Sequence, residues 1–554
     1  MQTVYRREVA THCSVGWRRQ RWKISAHIQP RPGPWEHLST TQEATVRHLN
    51  GAAELAILAT GVLMLCGQPA RAQCQAPELT RLAVPRPATA DLYGAAVSVA
   101  DDVGIVGVWT DNEHGNSTGA AHIFRRNGSA WVHEQALRID DATVFDYFGV
   151  ALAIAGDVAV VGAPGEDDRT TDGGAVYIYR HAGSSWVLDA ELFPNDLQVE
   201  ERFGNAVALS GDTLLVGAWT DNGLGLASGS AYVFRHVGMQ WVQEAKLLAS
   251  DGAAGDWFGR SVALSGDTAV IGAPNDDDLG VNAGSVYVFQ RSGSTWAQEA
   301  KLYGDDTFAG DQLGTAVAVA GDVLVAGAPY FSTAGPASGA AYVFRRSGTS
   351  WAVEQKLLPV SGAVLDYFGY SVAMADDTAV IGAPLDGQLG FNSGTAYVFR
   401  HRGGTWTEEA RLLASNGRAY NYLGISAALS GDTVILGSAD TDAAADTSSV
   451  GYVFGGVSDC NGNGVLDLCD VATGTSHDTN GNGIPDECEA HPGDLNCDGV
   501  VDFGDINPFV IALTGYDAYR AAFPACRWLN ADCNGDDAVN FADINPFVAL
   551  LSGT

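Results

Sequence analysis

Basic residues are scarce in this chain: over 554 residues, 31 Lys and Arg stand against 65 Asp and Glu, a net charge of −34. A surface of that sign repels polyanions, which excludes nucleic acid as a natural partner and makes anionic membranes a poor match. Proline is sparse, at 19 residues, and no apolar run reaches the about 20 residues that span a bilayer. Disorder is excluded, because 46% of residues are hydrophobic and 13 Trp, 18 Tyr and 20 Phe are present. Glycine is abundant, at 67 residues, and with only 17% charged residues this favours many short strands joined by tight turns. The length suggests several domains.

Residues 1–50 carry eight Lys/Arg against three acids and no recurring hydrophobic pattern. An apolar stretch at 52–65, interrupted by Glu54, leads to Ala70-Arg71-Ala72, with small residues where a signal peptidase reads them. This predicts a leader and secretory signal over 1–72, cleaved near Ala72, and a secreted or cell-surface product able to form disulfides. The 50-residue prelude is longer than such signals carry, which suggests an upstream start codon.

A repeat organises the middle of the chain. An aromatic or Leu followed by Gly recurs at Tyr93-Gly94, Phe148-Gly149, Phe203-Gly204, Phe258-Gly259, Leu313-Gly314, Phe368-Gly369 and Leu423-Gly424, always 55 residues apart. Gly-Ala-Pro at 162–164, 272–274, 327–329 and 382–384 keeps the same step, with variants at Gly107, Gly217 and Gly437. So do Trp131, Trp186, Trp241, Trp296, Trp351 and Trp406. Periods of this size belong to propellers, solenoids or arrays.

Within one copy, alternating or apolar β-rich runs at 261–264, 268–273, 285–289 and 296–302 are separated by Gly/Asp/Ser turns. Four strands and no helix per copy predict an all-β fold, a seven-bladed β-propeller over 73–456. The seventh copy lacks its Trp strand. Residues 76–82 fall one period before 131–137, so an N-terminal strand is expected to close the last blade and remove the open edges.

The FG…GAP…YVF pattern resembles the FG-GAP repeats of integrin-α-type propellers over about 76–456. That family often carries a calcium loop between its first two strands. Here the connection is only a tight turn, such as Gly156-Asp157 or Gly266-Asp267, with too few carboxylates to give calcium its about six to eight oxygens. The blade calcium sites are therefore not expected.

Strand order places the second connections and the interblade links on one face. These carry Glu166-Asp167-Asp168, Asp221, Asp276-Asp277-Asp278, Asp386 and Asp440, and Asp140-Asp141, Asp196, Asp251, Asp305-Asp306 and Asp366. The third connections carry Arg125-Arg126, Arg180-His181, Arg235-His236, Arg291, Arg345-Arg346 and Arg400-His401-Arg402. One acidic face and one Arg-dotted face are expected, the first serving either solubility or a cationic or metal-bridged ligand. No catalytic constellation stands out. Gly115-Asn116-Ser117-Thr118-Gly119 matches a nucleophile-elbow string but lies in a hairpin loop, without the strand-to-helix turn the motif requires. Trp109 and Trp219 replace the Pro of the GAP marker and suit either packing or stacking on a sugar ring.

From Asp459 the composition changes: 16 acids, only Arg520 and Arg527 as bases, and six of the nine cysteines. Four windows fit an EF-hand-type calcium loop. The first offers Asp459, Asn461, Asn463, Asp467 and Asp470. The second offers Asp478, Asn480, Asn482, Asp486 and Glu489, and the third Asp494, Asn496, Asp498, Asp502 and Asp505. The fourth offers Asp532, Asn534, Asp536, Asn540 and Asp543, weakened by Asp537 at the Gly position. Calcium is thus the expected cofactor, and its loss should unfold the tail.

Asp505-Ile506-Asn507-Pro508-Phe509-Val510 recurs 38 residues later as Asp543-Ile544-Asn545-Pro546-Phe547-Val548, each opening an apolar run suited to a short helix. Two such loop–helix units over 493–554 resemble a type I dockerin, and the loops over 457–492 resemble thrombospondin-type calcium repeats. The dockerin resemblance implies docking to a cohesin-like or cell-surface partner, with Phe503-Gly504 and Phe541-Ala542 at the positions that help choose it. The pairing of the six tail cysteines stays open, and Cys74 either remains free or reaches the tail. The favoured reading is a secreted, calcium-binding, non-enzymatic recognition or adhesion module that binds a glycan or protein on its propeller. The alternative is a polysaccharide-degrading or polysaccharide-binding component of an extracellular complex.

Overall fold

The computed structural model describes residues 74–84, 94, 96–113, 115–127, 130–139, 142–332, 335–439, 449–459, 463, 465–478, 485, 493–496, 500–515, 518–519, 522–523, 528–533 and 539–552. The expected leader, signal and cleavage site lie outside them.

The chain forms a seven-bladed propeller. Blade four shows the plan: Ser261–Ser265, Thr268–Ala273, Ser285–Ser292 and Thr295–Leu302 pair antiparallel in that order. The third strand outruns its predicted end at Phe289. Gln290, Arg291 and Ser292 continue the ladder against Ala297, Trp296 and Thr295, but they sit on the partly exposed rim, where apolar alternation stops. The second strand is buried throughout, which explains its uninterrupted apolar run.

The two sequence markers meet between blades. Each FG glycine donates its N–H to the carbonyl of the GAP glycine in its own blade, as from Gly149 to Gly162 at 3.0 Å and from Gly259 to Gly272 at 3.1 Å. Each also presses its own carbonyl oxygen against the GAP glycine of the preceding blade. A Cβ on Gly107, Gly162, Gly217, Gly272, Gly327, Gly382 or Gly437 would overlap the oxygen of Gly149, Gly204, Gly259, Gly314, Gly369, Gly424 or Gly94, respectively. The last of these contacts joins blade seven to blade one, so the ring is complete.

A second set of contacts joins the blades at the rim. Every outer strand of blades one to six contains a β-bulge, and the extra residue is Glu134, Asp189, Glu244, Glu299, Glu354 or Glu409. A bulge re-aims its side chain, and four of these carboxylates take the indole N–H of the next blade's tryptophan: Trp186 to Glu134 at 3.2 Å, Trp296 to Glu244 at 2.9 Å, Trp351 to Glu299 at 3.0 Å and Trp406 to Glu354 at 3.2 Å. Asp189 is one methylene shorter, and the buried Trp241 Nε1 that follows it has no hydrogen-bond partner among the described residues.

Closure differs from expectation in one respect. Residues 76–82 are not one strand: the chain breaks into β1 (Cys74–Pro77) and β2 (Thr80–Ala83). Only β2 completes blade seven, antiparallel to Ser449–Phe454 with Arg81 opposite Tyr452. β1 instead adds a parallel fifth strand to the outer edge of blade six, with Cys74 opposite Ala410. Glu78 pins the break, its carboxylate accepting from the N–H and hydroxyl of Ser415, each at 2.6 Å. A Cys74–Cys469 disulfide then ties β1 to α1 (Asp467–Thr473), whose Leu468 packs in one apolar cluster with Leu466, Ala76, Leu412 and Val457. Cys74 thus reaches the tail. Two further helices, α2 (Ile506–Ala512) and α3 (Ile544–Ser552), contain the repeated hexapeptide from its Ile onward and stack Phe509 on Phe547 at 4.1 Å.

Gly272→Ala should lower unfolding stability by about 3 kcal/mol, because backbone stands where the methyl would go. Gly266→Ala, in an open turn at φ +55° with nothing within 4 Å, should cost about 1 kcal/mol. Equal losses in denaturant titrations would contradict the interblade contact. Conversely, Asp189→Glu should gain about 1 kcal/mol by giving Trp241 its acceptor, and an unchanged or lowered midpoint would show that the bulge does not aim the side chain.

Candidate functional site

Two regions carry concentrated chemistry. On the face of second connections and interblade links, many of the acids point inward instead of forming a uniformly acidic surface. Asp221 is fully buried and accepts from Lys246 Nζ at 2.7 Å, Ser230 Oγ at 2.9 Å and Tyr232 at 2.9 Å. Burial works against its charge, but the Lys246 bond outweighs this and holds its pKa below the usual value. Asp276 repeats the arrangement with Lys301, Ser285 and Tyr287. Asp251 and Asp306 pair with Lys301 and Lys356. In blades three to six the Tyr of the third strand lies opposite a basic residue of the fourth, Lys246, Lys301, Lys356 or Arg411, so Asp221 and Asp276 pair inside while Asp251 pairs at the surface.

Blade two departs from this rule: Glu191 lies opposite Tyr177. Nearby, Asp146, Glu166 and Asp167 bring carboxylate oxygens within 4.8 Å of one another. Burial first, then mutual repulsion, raises the pKa of Asp146 and Glu166. Asp146 already accepts from the N–H and hydroxyl of Thr143, and Glu166 from the Tyr177 hydroxyl. Several Arg side chains of the opposite face are likewise paired, as Arg291 with Glu244 at 2.7 Å and Arg235 with Asp212 at 2.7 Å.

Asp167, Asp168, Asp196, Asp251, Asp277, Asp278 and Asp305 stay exposed on the first face, and exposed apolar and aromatic groups stand among them, a feature the charge pattern hid. Leu226, Val281, Phe308, Val360 and Phe391 all stand in its loops with their side chains in solvent. Trp109 packs edge-on against Tyr147 at 5.5 Å and Trp219 against Trp257 at 4.7 Å, and both keep part of their surface open. Tyr330 and Tyr367 form a similar pair at 4.9 Å. Ser117 lies in a loop at φ +55°, with no strand-to-helix elbow.

The tail places most of its described candidate ligands in turns closed by their own carboxylates. In the third loop, Asp505 is fully buried and accepts from the N–H groups of Leu495, Asn496 and Asp502 at 2.7, 2.9 and 2.9 Å. Asp543 does the same in the fourth loop, from Cys533 and Asn540 at 2.9 and 2.8 Å. Asp502 and Asn540 each cap the following turn through Gly504 and Ala542. In the first loop Asn463 Nδ2 donates to Asp470, Ser458 donates to Asp467, and Asp459 pairs with Arg402 at 2.7 Å. Asp467, Asp470, Asp494, Asp505, Asp532 and Asp543 are all buried, while Asn496 and Asp478 are half-buried. Asn461, Asn480, Asn482, Asp486, Glu489, Asp498, Asn534 and Asp536 lie outside the described residues. Six buried carboxylates in a segment with two Arg are costly unless cations meet them. A donor set of carboxylate and amide oxygens fits a hard cation such as calcium.

One buried pair escaped the sequence reading. His122 occupies the Tyr position of blade one, and its Nδ1 lies 3.0 Å from Nε2 of His133. Burial, then His133 and Arg138, lower the His122 pKa to about 3, so its ring is neutral at neutral pH, and burial, then Arg138, lowers that of half-buried His133 as well.

A family model described as the FG-GAP repeat matches residues 131–179, 186–234, 241–289, 296–344, 351–399 and 406–454. Each match begins on the outer strand of one blade and ends on the third strand of the next, straddling the interblade contacts. Among solved structures, a crystal structure of Saccharomyces cerevisiae Sqt1 is similar over 68% of this chain and 88% of that one, at 11% identity and a TM-score of 0.37. No curated protein matches.

The His pair sets a pH dependence. A buried His whose folded pKa is depressed contributes stability above its unfolded value, about 6.5, and loses it as pH falls toward 3, by about 1.4 kcal/mol per pH unit. His122→Tyr, which restores the residue of the other blades, should flatten stability between pH 6.5 and 4 relative to the parent. Parallel curves for the two proteins would contradict a neutral buried His122.

Proposed function

The chain belongs to the FG-GAP repeat family, and from that premise we propose that its propeller is the recognition module of an exported protein whose calcium-bound tail fastens it to a cohesin-like or cell-surface partner. The observation that carries the tail reading is the internal symmetry of the third and fourth loops. Asp505 and Asp543 make the same backbone bonds from the same loop positions, and the helices after them stack through equivalent phenylalanines. At equivalent positions each unit presents a phenylalanine to solvent, Phe503 at 81% and Phe541 at 79% exposure. Apolar rings left in water on two related units support a docking role.

Asp494, Asn496, Asp498, Asp502 and Asp505 would hold one calcium ion, and Asp532, Asn534, Asp536, Asn540 and Asp543 a second. The loops over 457–492 would take further ions through Asp459, Asn461, Asn463, Asp467 and Asp470, and through Asp478, Asn480, Asn482, Asp486 and Glu489. Bound calcium supplies positive charge that lets these carboxylates share a small volume. Export is supported by the Cys74–Cys469 disulfide, since such bonds persist in oxidising compartments. Among the described residues no helix is long and apolar enough to cross a membrane. A second reading, a polysaccharide-binding component, is favoured by the aromatic pairs on the link face.

Excess chelator should remove the helical circular-dichroism signal of α2 and α3 and leave that of α1 and of the strands, with calcium restoring it. Capture on immobilised type I cohesin domains should require calcium and fall at least tenfold in a Phe503→Asp/Phe541→Asp double variant. A tail that keeps α2 and α3 in chelator would contradict the calcium role, and calcium-dependent capture unaffected by the double variant would contradict the docking surface.

A further inference from the structure

We propose that a cleft in blade five, between residues 306–311 and the connection that begins at Tyr330, is a subsite for a neutral sugar ring. The inference rests on the reading of the propeller as a recognition module and names its ligand class. The cleft encloses about 590 Å³, within the range of small-ligand sites. Asp306, Phe308, Asp311, Tyr330, Phe331 and Ser332 line it.

This is where the repeat breaks. Phe331 stands at the position of Asp111, Glu166, Asp221, Asp276 and Asp386, and Tyr330 at that of Thr110, Gly165, Thr220, Asn275 and Leu385. Phe308 replaces Thr143, Gln198, Ala253, Ala363 and Arg418. Three aromatic substitutions converge on one cleft, and two of them are not needed for the core. Phe308 is 68% exposed and Tyr330 is half-exposed, while only Phe331 is buried. Tyr330 is fixed from behind by Tyr367, ring centroids 4.9 Å apart.

The charges of the cleft select the ligand. Lys356 Nζ bonds Asp306 at 2.6 Å and lies 4.6 Å over the Phe331 ring, so an incoming cation would meet an ammonium already in place. An incoming anion would meet Asp306 and Asp311. Both carboxylates already have donors, Asp306 from Lys356 and Tyr342 at 2.6 and 2.8 Å, and Asp311 from the Phe308 N–H at 2.7 Å. Each oxygen still has acceptor capacity for a hydroxyl. An apolar ring surface beside carboxylate acceptors that already have donors matches a pyranose, whose C–H face covers an aromatic ring while its hydroxyls donate at the edge.

The test uses the full chain with calcium on an array of neutral glycans, with hexalysine and polygalacturonate as charged comparators. At least one neutral glycan should bind saturably, and Phe308→Ala, at an exposed position, should weaken it at least tenfold. Val360→Ala, at another exposed link position, should leave affinity within twofold. Absence of neutral-glycan binding, an unchanged affinity in Phe308→Ala, or Phe308-dependent binding of hexalysine or polygalacturonate instead would overturn the subsite. Cohesin capture on the same preparation separates the two readings. Capture without glycan binding removes only the subsite, and Phe308-dependent glycan binding without capture upholds the subsite while removing the tail's role.

Discussion

A side chain on any one of seven glycines would overlap the carbonyl oxygen of another glycine in the next blade, and the propeller depends on that close approach. Only where both partners lack a Cβ can the start of one blade come close enough for the FG aromatic to bury itself and for neighbouring inner strands to pack side by side. The FG and GAP markers are thus two halves of one contact. Their recurrence in every copy follows, since each blade contributes one glycine to the contact before it and one to the contact after it.

This contact made the fold legible. The strict 55-residue step established the blade count, and the missing Trp strand of copy seven pointed to closure by an N-terminal strand. The break at Glu78 was invisible because it depends on Ser415, 337 residues away, and both short pieces on either side read equally well as strand. α1 was missed for a related reason: its first four residues lie inside a calcium-loop pattern, and its stability comes from packing on blade six and the Cys74 disulfide.

The candidate sites were legible to different depths. In the tail, residue type and spacing are local, so the internal duplication could be read directly, and Asp505 and Asp543 do occupy matching turns. On the propeller, charge counting was right for part of the face: Asp167, Asp168, Asp277 and Asp278 are exposed, whereas Asp221 and Asp276 are buried against the Lys of the fourth strand, and apolar and aromatic groups stand in the same loops. The sign of a residue is in the sequence, but which way it faces is decided by its cross-strand partner. The bulged glutamates make the same point, since their outward aim toward the next blade's indole exists only after the strands have paired.

The central claim is that the ring is closed by seven equivalent glycine contacts, the last of them between blades seven and one. Residue-resolved amide hydrogen exchange on the intact protein tests it most directly, through the N–H groups of Gly94, Gly149, Gly204, Gly259, Gly314, Gly369 and Gly424, all bonded to a GAP glycine carbonyl. In a closed ring Gly94 exchanges as slowly as the other six, because blade seven covers it as each blade covers the next. Exchange at Gly94 faster by orders of magnitude, with the other six protected, would show a ring open between its last and first blades and contradict the account.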